Sequence, residues 1–165
     1  MGKGKEHGQG APPAAVDFAL ISRDACVGMT IQCADFNLRR ATRRVSQAFD
    51  QALKPTGLKI TQFSLLIACY LNQSLVLSKL ARLMGMDRTT LSRNLALLEK
   101  RGLVTLERGE DRREVRAQVT PAGIAVMDQA APLWHQTQAR IVAGVGEDKW
   151  QAMLADLRQL TKGLK

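Results

Sequence analysis

The sequence predicts a mainly α-helical fold that carries one small β-hairpin. Three observations predict it. Apolar residues recur at helical spacing in long stretches, over 38–52, 60–70 and 124–160. Between residues 77 and 102, two shorter amphipathic stretches are divided by Gly85 and Asp87, a helix stop followed by a helix start. After them, residues 103–107 and 115–119 have the branched, alternating character of strands on either side of a charged, Gly-containing turn.

A chain of 165 residues, 45% hydrophobic and 4% aromatic, is long enough for one domain with a core of Leu, Ile, Val, Ala and Met. Its formal net charge of +9 favours an acidic polymer or surface as partner. A membrane surface fits less well than nucleic acid, because no basic amphipathic segment also carries Trp or Phe anchors. The longest uncharged stretch, 60–77, is broken by six polar side chains from Thr61 to Ser74 and does not read as a membrane span. No charged start followed by an apolar run marks a secretory signal. Three cysteines make no disulfide framework, so the chain reads as a reduced cytoplasmic protein. His7 and His135 stand far apart with no ligand-spaced Cys or carboxylate beside them, so neither a metal nor another cofactor is expected.

In order along the chain, residues 1–15 are rich in Gly, Pro and Lys and read as a flexible tail. Residues 16–30 are ambiguous: Phe18 to Ile21 suit the start of a short helix, while Cys26, Val27, Gly28 and Met29 suggest an irregular link. Asp35 or Asn37 can cap a long helix to about Leu53, with Leu38, Ala41, Val45, Ala48, Phe49 and Ala52 as its apolar stripe. Its Arg39, Arg40, Arg43 and Arg44 read either as phosphate contacts or as a solvated face. After a break at 54–57, Ile60 and Thr61 read as staple and N-cap of a helix apolar nearly all round, with Phe63, Leu66, Ile67 and Tyr70 on one side and Leu65 and Cys69 beside them.

Ser78 can cap the next helix, whose apolar side holds Leu80, Ala81 and Met84 and which Gly85 ends. Asp87 then caps a helix in which Leu91, Leu95 and Leu98 share one face. Thr89 and Arg93 lie opposite those leucines, Ser92 on the flank, and Arg88 and Thr90 in the first turn. A helix that hides leucines and shows Arg, Thr and Ser at its N-terminal end suits a major-groove reader, because Arg bonds guanine bidentately and Thr or Ser meets several base edges. The same pattern also fits an ordinary amphipathic surface helix. Beyond it, Arg112, Arg113 and Arg116, with Asp111 beside them, put cations at a hairpin where they can straddle phosphates or enter a minor groove. Thr120 and Pro121 then open a helix that Pro132 should kink or interrupt, and Glu147 and Asp148 open a last one carrying Trp150, Met153, Leu154, Leu157 and Leu160.

With those residues in place, the stretch from about 36 to 160 resembles the MarR family of transcription regulators. The family's wing signature is Asp-x-Arg, five residues, then Leu-Thr; Asp111, Arg113, Val119 and Thr120 fall on it, with Val for Leu at 119. The resemblance implies a winged helix-turn-helix over about 60–120, flanked by N- and C-terminal dimerisation helices at about 35–54 and 121–162, within a single domain over 16–165. It implies that Asp111 braces the wing while Arg113 enters the minor groove, and that Arg88, Thr89, Thr90, Ser92 and Arg93 face the major groove. The surplus of apolar helix faces independently calls for a second chain, and two such heads would read an inverted repeat in double-stranded DNA.

Two signals are compatible with this reading. One is a small aromatic or amphipathic effector held between the dimerisation helices and the head. The other is oxidation of Cys33, which precedes the first long helix and two arginines, where a thiolate would be favoured; Cys33 also reads as a small buried hydrophobe. If Cys26 and Cys33 share one helix, seven residues separate them by about 10.5 Å, beyond disulfide reach, so they could bridge only across a bend or between chains. The rival function is a winged-helix protein interaction module with no specific DNA binding. No nucleophile motif, phosphate-cradling loop or His–carboxylate array points to an enzyme.

Overall fold

The computed structural model describes residues 21–72, 76–108 and 115–163. The chain divides after Thr42 into two compact units.

In the first unit, α1 (Arg23–Gln32) is capped by Ser22, whose Oγ accepts from the Ala25 amide at 3.1 Å. This helix includes Cys26 to Met29, so the irregular-link reading of those residues is corrected. Their weak helix propensity is offset by a cap at each end. Cys33 closes α1 and at the same time opens α2 (Ala34–Leu53): its amide donates to Met29 O, and its Sγ accepts from the Phe36 amide at 3.4 Å. Neither Asp35 nor Asn37 precedes α2 as its cap. Asn37 instead donates from Nδ2 to the carbonyls of Ile31 and Cys33, both at 2.9 Å, satisfying acceptors at the end of α1.

The second unit begins within α2 and continues through a 3₁₀ turn (Lys54–Thr56), α3 (Ile60–Leu71), α4 (Leu77–Met84) and α5 (Arg88–Lys100). The strands β1 (Val104–Arg108) and β2 (Val115–Val119) follow, then α6 (Pro121–Val145) and α7 (Glu147–Gly163). The mainly helical fold with one hairpin is thus as expected, β1 standing one residue later than predicted. The strands pair antiparallel with Val104 opposite Val119 and Arg108 opposite Val115, and Val76 adds a single antiparallel bridge to Arg116.

Leu53, Leu58, Leu65, Leu66, Leu80, Leu91, Leu95, Leu98 and Val104 are withdrawn almost wholly from solvent and form one aliphatic core. Burying each such side chain stabilises the fold by about 1.5–3 kcal/mol before entropy is counted. Phe49 stacks on Trp134 at 6.1 Å, joining α2 to α6. The expected apolar side of α3 is corrected at one point, since Tyr70 is exposed while Gln62, Phe63, Leu65, Leu66, Ala68 and Cys69 are buried.

Two further caps differ from expectation. Helix α3 starts at Ile60, not after Thr61, because Asp50 on α2 reaches across: its Oδ1 accepts the Ile60 amide at 2.8 Å and its Oδ2 meets Lys59 Nζ at 3.2 Å. Gln62 Oε1 accepts the Lys59 amide at 3.1 Å and completes the end. Helix α4 starts before Ser78, with Val76 at its N-cap and no side-chain bond there. Thr120 caps α6 as predicted, its Oγ accepting from Gly123 N at 3.0 Å and donating to Gly102 O at 2.6 Å. Pro132 does not interrupt α6, which runs unbroken through it.

Gly123 lies so close to the hairpin that a Cβ there would overlap the Leu103 carbonyl oxygen and stand 2.7 Å from a Val119 methyl. Gly123→Ala is expected to destabilise the fold by about 1–3 kcal/mol, read as a lower urea midpoint with an unchanged slope. Burial pushes the Cys69 thiol up to about 11, whereas Cys26 and Cys33 are exposed. A disulfide reagent should therefore titrate Cys26 and Cys33 quickly in the native protein, and Cys69 only after denaturation.

Candidate nucleic-acid interface

The first helix of the pair, α4, ends where Gly85 takes φ 60° and ψ 31°. There its amide and that of Met86 turn back onto the last carbonyls. Asp87 then caps α5: Oδ1 accepts the Thr90 amide at 2.8 Å and Oδ2 accepts the Thr90 hydroxyl at 2.6 Å. These bonds, the hydroxyl's first, hold the Asp87 carboxyl below the usual carboxylate range. At the other end, Gly102 at φ 69° turns the chain into the hairpin.

Leu91, Leu95 and Leu98 are completely buried, so α5 is fixed in rotation. Arg88, Thr89, Thr90, Ser92 and Arg93 are all exposed, brought together on the N-terminal half of the same helix. They differ in freedom. The Thr90 hydroxyl proton is committed to Asp87, which leaves its oxygen as an acceptor. Ser92 borders a cleft of about 270 Å³ shared with Leu77, Leu106 and Val115, beside the hairpin. Asp111, Arg112 and Arg113 lie outside the described residues. Arg116 stands on β2 opposite Glu107, one pair from the turn end of the strands.

One structural cation was not legible. Arg101 donates from Nη1 to Gly57 O at 2.9 Å and from Nη2 to Thr56 O at 3.1 Å, tying the end of α5 to the turn before α3. In sequence it is only one of two basic residues closing a helix. A cavity of about 260 Å³ also opens between α3 and α6. Phe63 and Ile67 line it from one side and Met127, Ala131 and Trp134 from the other, with Asp128 and His135 as its exposed members. Among the described residues no group of three His, Cys, Asp or Glu converges as a metal site, and no helix is long and apolar enough to cross a membrane.

A sequence model of the MarR family matches residues 56–114. The transcriptional regulator MosR of M. tuberculosis is 38% identical, over 81% of this chain and 98% of that one, with a TM-score of 0.72. The chain belongs to the MarR family. Its helix pair and hairpin are the family's winged helix-turn-helix, and the mostly helical fold around them is the one the sequence predicts. MosR has also been solved in complex with DNA. CouR, a transcriptional repressor solved on a 23-mer DNA duplex, is 28% identical over 82% of this chain and 96% of that one, with a TM-score of 0.73. CouR from Rhodococcus jostii RHA1 has been solved with p-coumaroyl-CoA. The HTH-type transcriptional regulator YwaE of Bacillus subtilis is 26% identical over 130 residues, 78% of this chain and 76% of that one. These MarR-type relatives are transcription regulators and not enzymes.

The Asp87 cap has a definite pH signature. Its folded-state pKa is depressed, so its contribution is complete above the ordinary carboxylate range and is lost as pH falls through the folded value. Asp87→Ala should lower the melting temperature at about pH 7 more than Asp87→Asn does, and the gap between wild type and Asp87→Ala should narrow toward about pH 3.

Proposed function

We propose that this MarR-family chain is a homodimeric, cytoplasmic repressor that binds an inverted repeat in double-stranded DNA and is released by a signal. The observation that carries the reading is the exposed constellation Arg88, Thr89, Thr90, Ser92 and Arg93 on a rotationally fixed helix. It is supported by the likeness to MosR and CouR, each solved with DNA. Arg93 reads base edges, Arg88, Thr89, Thr90 and Ser92 position the helix, and Arg113 enters the minor groove with Asp111 bracing it and Arg112 on phosphate.

Dimerisation runs through helices at about 35–54 and 121–162. Apolar side chains left exposed in one chain favour it, among them Leu38, Val45, Ile124, Val145, Met153 and Leu160. Two heads then meet half-sites about 34–36 Å apart. The signal is a small molecule in the cavity between α3 and α6, or oxidation of the exposed Cys33 thiol by hydrogen peroxide to a sulfenic acid with release of water. Cys26 lies on the helix that Cys33 closes, so a disulfide between them would have to join two chains.

Selection of bound duplexes from a random pool at near-physiological salt, with and without peroxide, tests the reading. One inverted repeat should be recovered. Arg93→Ala should lose about 1–3 kcal/mol of discrimination at one base position, while Arg113→Ala should weaken all sequences and lower the salt slope by about one. Loss of binding in peroxide that Cys33→Ser prevents would assign the thiol; an indifferent repeat would leave the cavity. No enriched sequence, with a salt-insensitive protein complex instead, would favour the interaction module.

A further inference from the structure

Resting on the effector cavity just proposed, we infer that its ligand is a small amphipathic cation, an arylalkylamine in its ammonium form. The cavity's volume of about 260 Å³ lies below the usual range for drug-sized ligands, which leaves room for one compact ring system. Phe63, Ile67, Met127 and Ala131 give it apolar walls. Trp134 is held in place, stacked on Phe49 and edge-on to His135 at 5.0 Å, so the aromatic wall is formed before a ligand arrives.

The polarity of the lining selects the sign of the charge. Among the described residues no Lys or Arg borders the cavity, Asp128 is its sole carboxylate, and the exposed His135 is its one other titratable side chain. Among the described residues Asp128 has no ion-pair partner. The Asp128 carboxylate therefore stands beside an aromatic face, the combination that suits an ammonium group.

The other side of α6 has the reverse character. Gln136, Thr137 and Arg140 fall on the opposite face at about 100° per residue, where with Gln51 they border a separate, more polar cavity of about 540 Å³. A carboxylate ligand would find its guanidinium there. The chain's net charge of +9 does not reverse the choice, because charges beyond about 8 Å are screened at physiological salt.

The test uses the full chain carrying Trp150→Phe, which leaves Trp134 as the sole indole. Quenching of Trp134 is titrated with three probes sharing one body: 4-tert-butylbenzylammonium, 4-tert-butylbenzyl alcohol and 4-tert-butylbenzoate. The ammonium should bind on the order of fivefold tighter than the alcohol, and the benzoate weaker than either. Asp128→Asn should bring the ammonium down to the alcohol and leave the alcohol unchanged, a control for folding. A benzoate that binds tightest overturns the cation, and an ammonium preference that survives Asp128→Asn overturns Asp128 as its anchor, each while leaving the cavity reading. No response to any probe overturns both.

Discussion

Leu91, Leu95 and Leu98 are removed completely from water. The direction of a helical side chain follows from its position, so burying these three decides where every other residue of α5 points. The cost of exposing even one of them is large beside the marginal stability of a domain this size. The polar face of the helix is therefore a consequence of core packing. The leucines of α3 and α4 exist in part to receive it, and the hairpin that follows closes the same interior through Leu103, Val104 and Ala117.

Signals that act over three or four residues were legible in the sequence. Gly85, Asp87, Thr120 and Pro121 each work on the backbone beside them, and each stands where it was read. The leucine face of α5 was equally plain, because its three members repeat with the helix period. Some local caps, Ser78 and Asn37 among them, did not stand where they were read, and features completed by distant chain were missed. Thr61 looked like the cap of α3, but Asp50, ten residues before the helix start, supplies the acceptor. Asn37 looked like the start of one helix and serves the end of another. The cavity between α3 and α6 was expected only as an effector site between the dimerisation helices and the head; its lining could not be read, since its two walls are about sixty residues apart. The wing signature at Asp111 and Arg113 was legible as a pattern, and its residues lie outside the described part of the chain.

The two populations of apolar residue have different meanings. In the head, the aliphatic side chains form one connected interior. On α1 and α7, by contrast, no residue is buried, although both helices carry Val, Ile, Leu or Met. A single chain does not give those side chains a place out of water, which is the condition under which association gains the most from the hydrophobic effect.

The double bond from Arg101 to Gly57 and Thr56 has a mechanical consequence. With Asp87 clamping one end and this guanidinium the other, α5 is fastened like a beam at both supports, and its leucines bolt down the span. Such a beam does not swivel under a modest load. A stimulus arriving through α6 can shift the carriage on which it is mounted, but it leaves the angle between the helix and its frame untouched. In the dimer proposed above, what such a stimulus would change is the separation and tilt of whole heads.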